Sequence, residues 1–562
     1  MIETELVRLI RTALEASAAE LGLAELPDDI EVIRPRQKDH GDYATGVALA
    51  VAGAAKRSPR EVAEAILAGL PESPFVAKAE VAGPGFINFF VTHTWLYSVL
   101  EEVRGLGPDF PRVAVGGGER VQVEFVSANP TGPLHVGSGR GAALGDALAR
   151  VLEFTGYVVE REYYVNDAGS QMELFARSIE ARYLERFGRK ADVPEGGYHG
   201  VYIRELAEAF DEADGEALLE LSPEDRRARL GEEGLRRALA DIRATLERFG
   251  VHHDRWFHES ELHAQGRIAQ AVELLRERDL AYEAEGAIWF RAERFGDAKD
   301  RVLIRASGEP TYFAADCAYL RDKFARGFDH LIYVWGADHH GTVKRVEGAA
   351  AAFGYDVDQM EFILTQLVSL YRAGEPVRMS KRTGEIVTLD ELIDEVGADA
   401  ARYTLLSQSP DTALDFDIEA VKRQTLDNPV YYVQYAHARI ASVIRYAAEQ
   451  GIVLQPFEET RPEELVHETE LDLLRKIGEL PSLLRLIADG RAPHRLTRYA
   501  EELARGFHRF YTECRVVTKE PALTQARLQL AAAAKQVIAN VLALLGVSAP
   551  ESMERLGEEE PA

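Results

Sequence analysis

The chain has 562 residues, 46% of them hydrophobic, and a formal net charge of −28. That length exceeds what one core sustains, so three to four domains are expected, and the composition is that of an ordinary soluble protein. The negative charge has the wrong sign for a surface that binds nucleic acid everywhere, because neutralising phosphate takes Lys and Arg.

The first residues, Met1-Ile2-Glu3-Thr4-Glu5, are acidic, unlike a secretory signal. Residues 1 to about 110 read as a small α+β domain. Ile2, Leu6, Leu9, Ile10, Ala13 and Leu14 form one helical stripe. Ser58-Pro59 opens a second helix, with Pro in its first turn. Tyr43 to Ala55 is taken as the most apolar run of the chain. It is far short of the roughly 18 residues that cross a membrane. Val81 to Val91 reads as one glycine-bounded strand. Its Phe86, Ile87 and Phe89 are first of all core candidates; beside Asn88, an exposed ring would stack on an unpaired RNA base. Gly107-Pro108 and Gly116-Gly117-Gly118 mark a boundary.

Val121 to Arg150 organises the rest. A β-type run, Val121 to Val126, breaks at Asn129-Pro130-Thr131-Gly132-Pro133, and a helix follows with Ala142, Ala143, Leu144, Ala147, Leu148 and Val151 at helical spacing. Strand, turn and glycine-rich helix start form the phosphate-facing corner of a nucleotide-binding α/β fold, where unpaired first-turn N–H groups and the helix dipole favour an anion. Gly137-Ser138-Gly139-Arg140-Gly141-Ala142 fits the dinucleotide pattern, with Glu160 or Glu162 about 20 residues on, which is the reading of an NAD-type oxidoreductase. Against it, the first glycine belongs in the turn that ends the strand, and Gly137 lies well past it. The other reading uses that gap. Pro133-Leu134-His135-Val136-Gly137-Ser138 resembles the "HIGH" signature of class I aminoacyl-tRNA synthetases. The resemblance implies that His135 and Gly137 pack against ATP, with His135 donating to phosphate oxygens. Ser138 replaces the second histidine; its hydroxyl still donates one hydrogen bond but is shorter and carries no charge.

Beyond a second strand, Tyr157 to Glu162, the chain from Ser170 to about Glu261 is mostly charged helix, read as an insertion between the halves of the nucleotide fold. Strand-like runs return at Ala287 to Phe290 and Arg301 to Ala306. Thr311 to Asp316 follows, then a buried-looking strand, His330 to Trp335, that ends at Gly336-Ala337-Asp338-His339-His340-Gly341. His330, Asp338, His339 and His340 are poor metal candidates, since adjacent residues on an extended turn rarely point at one ion. The synthetase resemblance instead gives Gly336 and Asp338 the ATP ribose. Arg378-Met379-Ser380-Lys381-Arg382 resembles the second class I signature, "KMSKS"; the mobile ammonium of Lys381 would stabilise charge on departing pyrophosphate. Cys317 and Cys514 make neither a disulfide framework nor a zinc pattern, consistent with a cytoplasmic protein.

Within class I, the chain is similar to arginyl-tRNA synthetases over nearly its whole length. Glu124-x-x-Ser127-x-Asn129-Pro130, Tyr312, Asp316 and His340 match the residues that line the arginine pocket there. A guanidinium presents five donors in a planar fork and suits bidentate carboxylates. Glu124 and Asp316 are expected to supply these, with the Tyr312 hydroxyl as a third acceptor. Ser127, Asn129 and His340 are left for the substrate's ammonium and carboxylate. The resemblance assigns Phe86 and Asn88 to the tRNA elbow, and Tyr432, Tyr435, His437 and Arg439 to an anticodon-binding helix bundle. Between Arg495 and Asn540 eight basic residues face four acidic ones, a local basic excess. The expected fold is therefore a Rossmann-type α/β catalytic domain (111–375, with 170–261 a helical insertion), an N-terminal α+β domain (1–110), a signature-loop connection (376–425) and a C-terminal all-α bundle (426–562). The expected activity is ATP-dependent arginylation of tRNA through an arginyl-adenylate. ATP and Mg2+ would enter without a protein metal site, and the partners would be arginine and its cognate tRNA. The protein would be a monomer with no membrane attachment.

Overall fold

The computed structural model describes residues 2–35, 37–377 and 387–553. They fall into two compact units: residues up to 112 with 436–482 and 502–540, and residues 113–435 with 483–501 and 541 onward. The N-terminal segment and most of the C-terminal helices thus cluster together rather than as separate domains.

The larger unit is built on a five-stranded, all-parallel sheet. Its elements in chain order are β1 (Arg120–Phe125), α1 (Val136–Phe154), β2 (Val158–Val165), β3 (Arg255–His258), α2 (Tyr312–Ala325), β4 (His330–Gly336), α3 (His340–Ala352) and β5 (Met360–Thr365). The strand order is β5-β4-β1-β2-β3. The chain winds outward from β1 in both directions, so a crevice opens at the carboxyl ends of β1 and β4, where such sheets bind ligands. From Val121 to Phe125 every residue is buried, as a parallel strand covered on both faces requires. Alternation sends Val121, Val123 and Phe125 to one face and Gln122 and Glu124 to the other. Helix α1 closes the first face. A Cβ on its Gly145 would meet the Phe125 ring at 2.2 Å, so only glycine permits this approach. Helix α2 closes the second.

The helical insertion is shorter than expected. Helices Ser170–Arg186, Val201–Asp214 and Pro223–Arg248 bury Phe175, Ile179, Tyr183, Ile203, Phe210 and Leu230 in a core of their own. The chain then returns to the sheet as β3, inside the range assigned to the insertion. Four residues with Arg255 and His258 at the ends are too few to show a strand period. The run at 287–290 pairs antiparallel with both Ala281–Ala284 and the run at 301–304, in a separate three-stranded sheet. Arg402 is fully buried; its guanidinium donates to the carbonyls of Leu545 and Phe249 at 2.9 and 3.0 Å and pairs with Asp146 of α1.

In the smaller unit, the stretch expected to be one strand is a hairpin. Val76–Ala82 and Phe86–Val91 pair antiparallel across Gly83-Pro84-Gly85, and Tyr43–Thr45 adds a third strand. Two glycines at positive φ around a proline turn the chain rather than bound a strand. The stripe from Ile2 to Leu14 is buried, and Ser58 caps the helix Pro59–Ala68 in a reciprocal capping box with Glu61. Arg475 pairs with Asp42 at 3.0 Å, and the Tyr97 hydroxyl donates to the Leu465 carbonyl at 3.0 Å. The expectation of no apolar span needs correction: the helix Pro521–Leu545 is long and apolar enough to cross a membrane, with a mean hydropathy of 1.6 over its best 18 residues. Within the fold, 78% of that window is buried, so its apolarity is accounted for by the bundle core it fills.

Candidate active site

Ten residues without regular structure separate β1 from α1, and they begin under strain. Val126 and Ser127 have φ of 70° and 38°. Left-handed backbone is costly for any residue with a Cβ, most of all a β-branched one, and such outliers cluster at functional sites. The turn lets Ser127 fold back: its hydroxyl donates to Glu124 Oε1 at 3.2 Å and accepts the Tyr164 N–H at 3.1 Å. Asn129, two residues on, is exposed.

His135 caps α1. Its Nδ1 accepts the backbone N–H of Ser138 at 3.3 Å, which leaves the proton of the neutral ring on Nε2. Gly137 lies beneath the ring, where a Cβ would stand 3.0 Å from Nδ1 and Cε1. Gly336 ends β4, the neighbour of β1, and exposed Asp338 follows it. The two segments expected to face a nucleotide therefore share one edge of the sheet. His330 begins β4 and pairs with Glu119 at 3.1 Å, a strand's length of about 20 Å from Asp338, so the four metal candidates do not converge. Among the described residues no group of three His, Cys, Asp or Glu is arranged to hold a metal. Met379, Ser380 and Lys381 lie outside the described residues. The segment just after them does not: Thr388 forms a β-bridge with His135, and the Leu389 N–H donates to the Leu134 carbonyl at 2.8 Å. The chain that leaves the second signature thus lies against the first.

The residues expected to line an arginine pocket gather at the same edge, with one correction. Glu124 is buried and already engaged. Its Oε2 accepts the Tyr319 hydroxyl at 3.0 Å and pairs with the Lys323 ammonium at 2.5 Å, while Oε1 takes Ser127. Oε2 is taken up by the Lys323 ammonium and by the one Tyr319 proton it shares with Glu162, while Oε1 keeps one lone pair. Glu124 has room for a single further donor, not a bidentate grip. Asp316, one turn after the exposed Tyr312 on α2, is the more available partner. Burial, then the charges of Glu259 and Glu124, push its carboxyl up to about 7, with Arg345 pulling the other way. Glu259, which sequence reasoning missed, is buried just past β3, and burial raises its pKa against a hydrogen bond with Tyr164. His340 is exposed at the start of α3, on the same edge as Asn129. Lys323 and Tyr319 were missed too, although Tyr312, Asp316, Tyr319 and Lys323 recur every three to four residues and so share one face of α2.

The expected tRNA contacts are mixed. Phe86 is half-buried, but Asn88 is buried, paired between Ala44 and Glu80 in the hairpin sheet. Tyr432 and Tyr435 are half-buried on the helix Pro429–Glu449, where Tyr435 stacks parallel to Tyr431 at 6.3 Å. Arg439 lies over the Tyr511 ring at 4.5 Å, while His437 is buried. Asn88 and His437 take core positions because their elements present that side inward, so neither offers a surface to RNA. Part of the basic excess is also spent internally: Arg527 pairs with buried Glu470, and Arg509 with Glu513.

Three family models match in order: "Arginyl tRNA synthetase N terminal domain" over residues 5–91, "tRNA synthetases class I (R), catalytic domain" over 110–444, and "DALR anticodon binding domain" over 433–553. An arginine–tRNA ligase of Desulforamulus reducens is 47% identical over 555 residues, covering 98% of this chain and 99% of its own. One of Heliobacterium modesticaldum is 50% identical over 548 residues, covering 96% and 97%. The chain belongs to the arginyl-tRNA synthetase family. It is a class I aminoacyl-tRNA synthetase, and the family uses ATP. The arginyl-tRNA synthetase of Thermus thermophilus shares the fold with a TM-score of 0.76 at 24% identity, covering 98% of this chain and 100% of that one. The dinucleotide reading falls away accordingly. Gly137 sits in the first turn of α1, well beyond the strand end where that fingerprint places its first glycine.

Proposed function

We propose that this synthetase attaches L-arginine to its cognate tRNA at the carboxyl edge of β1 and β4, with the roles divided as follows. Asp316 and Glu259 carry the charge that meets the guanidinium, with Tyr312 and the spare lone pair of Glu124 Oε1 completing the fork. Ser127, Asn129 and His340 orient the substrate's ammonium and carboxylate. The carboxylate attacks the α-phosphate of ATP, forming the mixed anhydride and expelling pyrophosphate. The terminal ribose hydroxyl of tRNA then takes the arginyl group and AMP leaves. Gly336 and Asp338 hold the ribose of ATP, while Gly137 and Ser138 let its phosphates approach α1. Met379 and Ser380 serve ATP binding together with Lys381. His135 Nε2–H and the Lys381 ammonium stabilise the growing charge, so positioning and electrostatics do the work without a covalent enzyme intermediate. Mg2+ enters with ATP as part of the substrate. Phe86, Tyr432, Tyr435 and Arg439 are the planes offered to RNA bases. The protein acts as a cytoplasmic monomer, with both cysteines buried and free.

The observation that carries this reading is the contact of Thr388 and Leu389 with Leu134 and His135, which sets the exit of the lysine loop beside the histidine that caps α1. Arginine-dependent ATP–pyrophosphate exchange, run with and without tRNA, tests it. Exchange that needs arginine, and that tRNA switches on, is expected. Tight tRNA binding with no exchange under either condition would mark a tRNA-binding relative that has lost its chemistry.

A further inference from the structure

Beneath the pocket lies a buried network that the proposed chemistry does not use. Lys323 is wholly inaccessible, and its ammonium sits 3.8 Å from the Tyr333 ring centroid and 4.6 Å from that of Tyr319, against Glu124 Oε2. The Tyr319 hydroxyl proton lies between Glu124 and Glu162. Glu162 is held in turn by the Arg326 guanidinium, which also reaches Glu160 at 2.7 Å. Glu124 and Glu162 therefore each have a resident cation, and the aromatic faces around Lys323 stabilise its ammonium there.

Two consequences follow for a substrate cation. Glu124 is fixed so that only Oε1 looks outward. And the place where a compact ammonium would gain most, between Glu124 and the ring of Tyr333, is filled by one already. A guanidinium loses little by this, because its planar fork spreads over Asp316, Glu259 and Oε1. A lysine side chain, a point charge with one preferred partner, meets like charge at Glu124, whose Oε2 the Lys323 ammonium already holds. We propose that Lys323 is a specificity-determining residue, a built-in ammonium that clamps Glu124 and excludes lysine in favour of arginine. Selection of this kind comes from a repulsive group as much as from attraction to the right substrate. The proposal rests on the reading of the pocket given above.

The test is ATP–pyrophosphate exchange in the presence of tRNA, with KM and kcat measured separately for arginine and for lysine. Wild-type protein that fails to exchange with arginine would sink the functional reading and leave nothing for Lys323 to select. In an active enzyme, Lys323→Met is expected to raise the arginine KM at least tenfold with kcat within threefold. The arginine-to-lysine ratio of kcat/KM should fall at least tenfold. An unchanged ratio would overturn the proposal. If Lys323→Met does not fold, the decision passes to Glu124→Gln against Glu124→Gln/Lys323→Met. The first leaves the buried ammonium unpaired and facing the substrate's charge; the second removes it. An arginine KM at least tenfold lower in the double variant supports the proposal, and equal values for the two show that the lysine serves only the fold.

Discussion

On one side of β1, Val121, Val123 and Phe125 are sealed under α1 by apolar contact; on the other, one position along the same strand, Gln122 and Glu124 are buried too, Glu124 against a charge. Burying the first set is favourable by about 25 cal/mol per Å2 of apolar surface. The second set gains little from burial: a buried ion pair roughly repays its own desolvation, and the Gln122 amide has no hydrogen-bond partner among the described residues. Packing explains the first face. The second makes sense at the edge it leads to, where the proposed pocket needs Glu124 held in one orientation.

The comparison is broken most directly by Phe125→Ala. The ring is fully buried, fills the space left by Gly145 and stacks on His253 at 4.3 Å. Truncation should cost about 3–5 kcal/mol of stability, seen as a lower thermal midpoint, with the arginine KM of the still-folded fraction unchanged. A shift in KM without a loss of stability would mean that the two faces are not separable. Lys381→Ala should act the other way, leaving the melt unaltered and lowering kcat about 100-fold, or roughly 3 kcal/mol, while the arginine KM stays within threefold. If only the arginine KM responds, Lys381 binds the amino acid and its assignment to pyrophosphate is wrong. Asp316→Asn sits between these. Replacing a charged acceptor by a neutral one should raise the arginine KM about thirtyfold, near 2 kcal/mol.

The sequence carried the first face better than the second. The β-type run from Val121, the break at Asn129 to Pro133 and the glycine-rich start of α1 all have local causes, and the strand ends at Phe125, one residue before the expected Val126. Glu124 is expected in the pocket from the motif around it, yet its partners lie on a helix about 200 residues further on, and no local rule announces that a carboxylate is already paired. Part of that was within reach, because Tyr319 and Lys323 continue the face begun by Tyr312 and Asp316 on α2. The strand β3 escaped for a different reason: four residues of mixed polarity, contributing Glu259 just beyond their end, hold too little pattern to tell from a helical surround. Gly83-Pro84-Gly85 was legible as a turn and was passed over in favour of the apolar run beside it.

The smallest effect is also the one that distinguishes Asp316 from Glu124 most cleanly, because it depends on which carboxylate is unpaired. In the free enzyme the Asp316 carboxyl titrates near 7, raised by burial and by the charges of Glu259 and Glu124. Glu259 is raised as well, so the titration belongs to the two together. An unfolded aspartate titrates near 4, so between about pH 4 and 7 the folded chain holds the extra proton and the fold loses stability as pH rises through that window. A bound guanidinium favours the ionised form and recovers that loss. Arginine should therefore bind best and independently of pH above about 8. Its KM should climb as pH falls through 7, approaching tenfold per unit, or about 1.4 kcal/mol, well below that point. The rise in thermal midpoint on adding arginine should be larger at pH 8 than at pH 6. In Asp316→Asn the slope should flatten. If wild type and variant show the same slope, the proton that arginine displaces sits elsewhere, and the carboxylate that meets the guanidinium is not Asp316.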